Sequence, residues 1–480
     1  MIPVTVAYGD GIGPEIMDAV LYVLKEVKAP IKIETIEVGE KLYKRNYSSG
    51  IAEDTWDSIA RTKVLLKAPI TTPQGGGYKS LNVTLRKTLG LYSNVRPSIS
   101  YHPFVETQHP KMDLVIVREN EEDIYAGIEY RQTHNMYESI KLISRVGSEK
   151  IIRYAFEYAV KNNRKTVSCF SKDNIMKFSD GIFHKVFDEV AKEYPNIKNN
   201  HYIIDIGTAK LASSPELFDV IVTSNLYGDI ISDVTAEISG SVGLAGSANI
   251  GEQCAMFEAV HGSAPDIAGQ NIANPSGLLN AACMMLIHIG LGSYASIIEN
   301  AWKKTIEDGM HTGDIYNEKT SSKKLGTKEF AQEVVKRFGQ KPAKLIEVNY
   351  KDSPPADTKA SKTYSINTKE IKTLVGVDVF VQMDCPNAHD IADKIAKISL
   401  GEIELKTIAS KGLLLWPRKE PVNFLSDHWC LRFMPKAGEI SHAELADLLA
   451  KLAKAGIDFI KTENLYNFDD VRGYSLAQGE

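Results

Sequence analysis

The stretch Asp219-Val-Ile-Val-Thr-Ser-Asn225-Leu-Tyr-Gly-Asp229-Ile-Ile-Ser-Asp233 decides the fold class. Its first part is a short apolar, β-branched run of the kind that fills a buried strand, and the residues after Gly228 read as the start of a helix. A strand feeding directly into a helix is the unit of an α/β fold. On that helix Asp229 and Asp233 stand at i and i+4 and share one face. Two carboxylates so placed repel by about 0.2–0.5 kcal/mol in water. A hard divalent cation, which takes oxygen ligands, reverses that sign. A solvated acidic helix face is the competing reading, so the neighbouring sequence has to decide between them.

Outward from this stretch the same alternation continues over residues 1–350. Residues 4–8, 64–67, 114–117, 166–170, 202–206 and 220–223 are expected strands, with helices between them such as 148–162 and 180–193. Residues 351–369 are rich in Pro, Ser, Lys and Asp, which marks a flexible linker. Beyond it, residues 370–480 carry their own pattern. Strands are expected at 374–383, 403–409, 428–433 and 458–462, with 413–416 paired beside them and helices at 388–400 and 442–455. That β-α-β-β-α-β order predicts a ferredoxin-like domain. It shows no catalytic-looking cluster and is expected to serve packing or oligomerisation.

With 480 residues, 43% of them hydrophobic and 24% charged, the chain is long enough for two or three cored domains. A formal charge of −5 gives no support to nucleic-acid or membrane-surface binding. The longest apolar stretch, 278–286, is too short for a membrane span. The N-terminus lacks the basic region and cleavage site of a signal peptide, and the five scattered cysteines form no C-x-x-C. A cytoplasmic protein with free thiols is the expectation.

Two further motifs bear on chemistry. Gly9-Asp-Gly11-Ile-Gly13-Pro14-Glu15 follows a strand and opens a helix, but Pro14 stands where the dinucleotide fingerprint wants its third glycine. A tight strand-to-helix turn, with Pro in the first helical turn, is the better reading. Lys79-Ser80-Leu-Asn82-Val-Thr-Leu-Arg86, then Asn94-Val-Arg96-Pro, then Val117-Arg118-Glu-Asn, place three arginines near Ser and Asn donors and near Gly75 and Gly77. Guanidinium groups grip carboxylates in bidentate forks, so three that converge suit a polycarboxylate. Spacing alone leaves open whether they converge or form separate surface ion pairs.

Taken together these blocks resemble one family, the β-decarboxylating dehydrogenases that act on isocitrate, homoisocitrate and 3-isopropylmalate. The likeness also rests on Arg118-Glu-Asn-Glu-Glu-Asp-Ile-Tyr125, on Ser171-Lys172-Asp-Asn-Ile-Met-Lys-Phe178, and on His261-Gly262-Ser-Ala264-Pro-Asp266-Ile267-Ala-Gly-Gln-Asn-Ile-Ala-Asn274. It implies a two-domain fold distinct from a true Rossmann fold, with a large domain over about 1–100 and 250–350 and a small, dimerising domain over about 101–249. One subgroup of isocitrate dehydrogenases is similar in carrying a C-terminal extension.

By this resemblance Asp229 and Asp233, with Asp205 from a second subunit, bind Mg²⁺ or Mn²⁺. Lys172, also from that subunit, and Tyr125 are the catalytic base and acid. Ser80, Asn82, Arg86, Arg96 and Arg118 bind the substrate. Thr72, His261, Gly262, Ala264, Asp266, Ile267 and Asn274 line the nucleotide. Polar Ser80 and Asn82 stand where isopropylmalate enzymes place apolar residues, which favours isocitrate; homoisocitrate and 3-isopropylmalate are the alternatives, and a non-catalytic regulatory subunit a remote one. Family members that use NADP carry Lys-Tyr at the place of Asp266-Ile267. An acid there accepts hydrogen bonds from ribose hydroxyls and repels a phosphate, so NAD is expected. NADP is the alternative, through Lys319, Lys323 and Lys324 after Thr312-Gly-Asp314. The expected assembly is a homodimer with shared active sites, extended to a higher oligomer through residues 370–480.

Overall fold

The computed structural model describes every residue except 46, 48–49, 73–79, 355–368, 386 and 419–425. The expectations attached to Gly75, Gly77 and Lys79, and most of the linker, lie outside the described residues. The chain divides into two compact units: residues 1–126 with 141–364, and residues 127–140 with 365–480.

The strands of the first region, in chain order, are β1 (Ile2–Ala7), β2 (Ile31–Ile36), β3 (Val64–Lys67), β4 (Ser93–Ile99), β5 (Asp113–Glu119), β6 (Glu129–Arg131), β7 (Tyr137–Ser139), β8 (Thr166–Ser171), β9 (Lys198–Ile203), β10 (Val220–Thr223), β11 (Gly246–Ile250) and β12 (Ala255–Ala259). All but β6 and β7 join one sheet, in the order β2-β1-β3-β12-β11-β4-β5-β10-β8-β9. The flanks, β2-β1-β3-β12 and β5-β10-β8-β9, are each parallel throughout. Between them β11 runs antiparallel to both β12 and β4, and β4 antiparallel to β5. Two parallel halves are thus spliced through an antiparallel seam. Val4, Val6, Leu66, Val115, Val117, Val167, Val220 and Val222 share one core with the helices Gly13–Glu26, Arg145–Lys161, Ser179–Ala191 and Ser276–His288. Burial on both faces is what makes these strands read as continuous apolar runs.

The decisive stretch folds as expected, with one refinement. Val220–Thr223 is a fully buried strand, and the helix begins at Asn225, ahead of Gly228, and runs to Ile238. The strand expected at 202–206 ends at Ile203, where the helix Ile204–Ser213 takes over. Asp205 therefore lies in a first helical turn, where the helix dipole favours an acid. The Gly9–Pro14 segment is the tight turn expected. Gly9 and Gly11 have φ of +65° and +57°, and a Cβ at either would fall 2.1 Å from the Pro69 carbonyl or 1.9 Å from that of Ser263.

In the second unit the strands Ile403–Ser410, His428–Pro435, Lys372–Gln382 and Phe459–Phe468 lie side by side in that order, all antiparallel, with Leu413–Trp416 on one edge. Counted along the chain this is second-third-first-fourth, the ferredoxin-like order expected for β-α-β-β-α-β. The helices Ala388–Ile395 and His442–Lys454 bury Ile391, Ile395, Leu448 and Leu452 against it. The β6–β7 hairpin, which nothing in the sequence sets apart from its neighbours, belongs to this unit. Glu138 accepts a hydrogen bond from Lys461 at 2.5 Å, and Asn135 donates to Asp427 at 3.1 Å. No helix among the described residues is long and apolar enough to cross a membrane.

Candidate active site

The antiparallel seam presents a row of polar side chains on one face. Register sets Lys67 opposite Glu258, Asn249 opposite Asn94, and Asn94 opposite Arg118. Arg96 follows two residues along β4 and so points the same way. Arg86 approaches from the last turn of the helix Leu81–Thr88. Arg86, Arg96 and Arg118 are 8%, 5% and 1% exposed, so the three arginines expected from the motifs do converge in a buried site.

Carboxylates and amides hold each arginine. Glu258 takes Lys67 at 2.7 Å and Arg86 at 2.9 Å. Asn249 donates to the same carboxylate at 2.8 Å and accepts from Asn94 at 2.9 Å and Asn120 at 3.1 Å. Asn94 in turn accepts from Arg96 Nε at 2.5 Å. Arg118 donates through Nε and Nη2 to Asn225 at 3.1 and 2.8 Å, and through Nη1 to Asp229. Burial and the charges of Arg96 and Arg86 pull Arg118 below the ordinary guanidinium range.

Asp229 is the hub on the helix side. Its Oδ1 takes Arg118 and lies 3.3 Å from Arg96 Nη1, and its Oδ2 accepts the Tyr125 hydroxyl at 2.5 Å. Burial works to raise its pKa, but Arg118 and Arg96 outweigh that and hold the carboxyl below its usual range. Asp233 stands one turn on, exposed, 3.8 Å from Arg96. Desolvation and the Asp229 charge raise it despite Arg96. This like-charge pair of oxygen donors is a set that a hard divalent ion satisfies, so the residues present fit Mg²⁺ or Mn²⁺. Burial pushes the Tyr125 phenol up to about 12, with Arg118 opposing and Asp229 adding to the rise.

Lys172 and Asp205 form a separate pair, Nζ to Oδ1 at 2.9 Å. Among the described residues no hydrogen bond or ion pair joins them to Asp229 or Asp233. The sequence motifs therefore resolve into two clusters within one chain.

Ser80 stands at the N-cap position of the helix Leu81–Thr88, which carries Arg86, and accepts from the Thr72 hydroxyl at 3.3 Å. Among the described residues, Asn82 Oδ1 is buried without a partner, as is Arg86 Nε. These unused groups are free for a ligand. His261 Nδ1 lies 3.0 Å from the Gly262 carbonyl, so the proton belongs on Nδ1, and among the described residues the buried Nε2 keeps an unpartnered lone pair. Burial lowers this imidazole, which leaves it neutral at pH 7. Ala264 adopts a left-handed conformation ahead of the short 3₁₀ turn Pro265–Ile267. Asn274 donates to Asp314 at 2.9 Å. Asp314 adjoins the strand Met310–Thr312, which pairs with Lys323–Leu325. An orphaned imidazole nitrogen in the field of Asp314, to which Asn274 also donates, is a hydrogen-bonding position that a dinucleotide can use.

Comparison with known proteins gives the family. Residues 3–334 match the model of the isocitrate/isopropylmalate dehydrogenase family. The chain belongs to that family. Residues 372–480 match the bacterial isocitrate dehydrogenase C-terminal domain, so the chain falls in the subgroup of isocitrate dehydrogenases with a C-terminal extension. "Isocitrate dehydrogenase [NADP]" of Rickettsia bellii is 72% identical over 482 residues, covering 100% of this chain and 99% of its own. The protein of that name from Thermus thermophilus is 41% identical, covering 99% and 96%. The crystal structure of the TT0538 protein, also from Thermus thermophilus, superposes with a TM-score of 0.92 at 41% identity, covering 100% of this chain and 96% of its own.

The NADP in those names overturns the NAD expectation drawn from Asp266 and Ile267. The structure supplies the physical reason. Asp266 is exposed on its 3₁₀ turn, and among the described residues its carboxylate takes no hydrogen bond or ion pair; only its carbonyl accepts, from Gln270 at 2.8 Å. A water-screened carboxylate that nothing holds in place is a weak barrier to a phosphate. Reading specificity from one acidic position gave it the weight of a buried charge.

Sequence reasoning missed Lys67, Glu258, Asn249 and Asn225, which orient the arginines. Lys67 and Glu258 each interrupt an apolar strand, and a charge at such a place is the signal that could have found them.

Proposed function

We propose that this chain catalyses the NADP-dependent oxidative decarboxylation of isocitrate to 2-oxoglutarate. The carrying observation is the charge balance of the site. Lys67, Arg86, Arg96 and Arg118 face the carboxylates of Glu258, Asp229 and Asp233, so the cations are in excess by one. A divalent ion at Asp229 and Asp233 widens the excess to three, which a tricarboxylate neutralises. Buried charge demands that pairing. Polar Ser80 and Asn82, with the unused Asn82 oxygen, favour a third carboxylate over the isopropyl group of 3-isopropylmalate.

In this reading Arg86, Arg96 and Arg118 hold the substrate carboxylates, while Ser80 and Asn82 receive the remaining one. Asp229 and Asp233, with Asp205 of a second copy, would hold Mg²⁺ or Mn²⁺, which when bound would supply Lewis-acid polarisation of the C2 oxygen. Lys172 of that second copy accepts the C2 hydroxyl proton, as the C2 hydrogen leaves with its electron pair for the nicotinamide. The carbon–carbon bond to the β-carboxylate then breaks and CO₂ departs. The electrons are left at C3, and Tyr125, whose raised pKa keeps it protonated, donates a proton there. Thr72, His261, Gly262, Ala264, Ile267 and Asn274 line the nucleotide. Lys323 and Lys324, on the strand next to Met310–Thr312 and Asp314, serve the 2′-phosphate.

Initial rates decide this. Turnover is expected with isocitrate, NADP and Mg²⁺ or Mn²⁺, with loss on chelation and on Asp229→Asn. Preferential oxidation of homoisocitrate or 3-isopropylmalate would overturn the substrate, and metal-dependent activity surviving in Asp229→Asn would overturn the metal site. Lys324→Ala is expected to raise the KM for NADP about tenfold, the usual scale of one lost charge-assisted contact. The KM for isocitrate should not move.

A further inference from the structure

Beside the catalytic residues, but outside them, lies a second group of metal-ligating side chains. Asp173 follows β8, His184 sits in the helix Ser179–Ala191, and His201 lies in β9 with its backbone paired to Cys169. Three elements thus deliver one carboxylate and two imidazoles to one half-buried spot. His184 Nδ1 lies 2.7 Å from Asp173 Oδ2, and His201 Nε2 lies 3.8 Å from Asp173 Oδ1; the ligand atoms are all within 4.8 Å of one another. The rings stack with centroids 3.6 Å apart and planes 15° apart. Two imidazolium ions would repel at that separation, so at least one ring is neutral.

We propose that Asp173, His184 and His201 bind a transition-metal ion of borderline softness, such as Zn²⁺, Co²⁺ or Ni²⁺, at a site separate from the carboxylates of Asp229 and Asp233. Tetrahedral ligands about 2.0–2.1 Å from zinc stand about 3.3 Å from one another. The observed 2.7 and 3.8 Å run to the two different oxygens of Asp173, so binding turns the carboxylate and rotates the rings out of their stack to bring three donors round one ion, with a fourth position left for water. The donor chemistry sorts the metals. Imidazoles select zinc, cobalt and nickel, whereas the all-carboxylate pair selects magnesium or manganese.

A supporting carboxylate is present as well. Asp188 Oδ2 lies 3.8 Å from His184 Nε2, the nitrogen left over when Nδ1 ligates. At that distance there is no hydrogen bond, but the negative charge favours the proton on Nε2 and so leaves Nδ1 to ligate. His201 Nε2 lies 2.8 Å from Ser171 Oγ, and that hydroxyl would give up its acceptor to the ion. The site adjoins Lys172, whose backbone N–H donates to Asp180 at 2.6 Å, so an ion on Asp173 pins the peptide that carries Lys172.

The test uses the full-length protein, stripped with chelator and returned to excess Mg²⁺, then titrated with Co²⁺. The wild type and Asp229→Asn are expected to develop the intense visible absorption of tetrahedral Co²⁺, saturating at one ion per chain. His201→Gln should lose it. Absence of the band in wild type overturns the proposal, as does a band of full size in His201→Gln. Thermal unfolding of the wild type gives an arm free of mutation: Zn²⁺ added over excess Mg²⁺ should raise the midpoint with increasing concentration. An unmoved midpoint overturns the proposal even where the variants fail to fold.

Discussion

Two buried glutamates on the central strands show that burial alone does not set a charge. Glu258 and Glu119 are 5% and 3% exposed. Burial pushes both upward, but Glu258 faces Lys67 and Arg86, which drive its carboxyl far below the usual range. Among the described residues Glu119 has only the backbone N–H groups of Glu121 and Glu122, at 2.6 and 3.0 Å, and two acidic neighbours, and it rises to about 8. The consequences for stability have opposite signs. The folded pKa of Glu258 is depressed, so its contribution is present above the unfolded value of about 4.3 and drains away as pH falls below it. That of Glu119 is raised, so its contribution is full below about 4.3 and is lost as pH rises toward about 8. Glu258→Gln strands two buried cations and is expected to cost about 3–5 kcal/mol, read as a lower unfolding midpoint together with a higher KM for isocitrate. Glu119→Gln should instead flatten the decline in unfolding midpoint between pH 5 and 8; a midpoint that falls over this range as steeply as in wild type would show that Glu119 is not the titrating group.

At the scale of elements, the helix Asn225–Ile238 depends on a close approach that only glycine permits. A Cβ at Gly228 would stand 2.5 Å from Arg118 Cγ and 2.7 Å from its Cβ, both near the chain of a buried strand and unable to swing aside. Gly228→Ala is expected to cost about 1–3 kcal/mol by overpacking and to tilt Arg118 off Asn225 and Asp229. Isocitrate KM should rise more than the unfolding midpoint falls; an unchanged KM would mean that Arg118 tolerates the shift. This dependence bears on how much of the fold was legible. Strands buried on both faces, such as Val64–Lys67 and Val220–Thr223, announced themselves as apolar runs. The seam strands Ser93–Ile99, Gly246–Ile250 and Ala255–Ala259 did not, because their polar members face the site and break the run. Arg86, Arg96, Arg118 and Asp229, which the structure gathers into one buried cluster, were legible as members of the quoted motifs. Asn249 and Glu258, which align them, belong to no quoted block, and register alone brings them to the arginines. Cofactor choice was misread because a lone acid reveals its type in the sequence and not its exposure.

For the whole molecule, the separation of Lys172 and Asp205 from Asp229 and Tyr125 is the feature with the widest consequence. If each active site takes Lys172 from one copy and Asp229 from another, two inactive variants can repair each other. Lys172→Met alone removes the base from both sites of a dimer, and Asp229→Asn alone removes the metal ligand from both. In a mixed dimer one site receives both lesions and the other receives none. Random reassociation of equal amounts makes half of the dimers mixed, with half of their sites intact, so roughly a quarter of wild-type activity should return by the arithmetic of a closed two-fold assembly. Variants purified separately, mixed under mild denaturant and dialysed back would be assayed with isocitrate, NADP and Mg²⁺. Restored turnover requires shared sites, because in a self-sufficient chain both lesions stay lethal however the copies pair. Activity no higher than that of the unmixed variants, with exchange verified by a tag on one of them, would place Lys172 and Asp229 in one chain's own site and remove the case for an obligatory dimer.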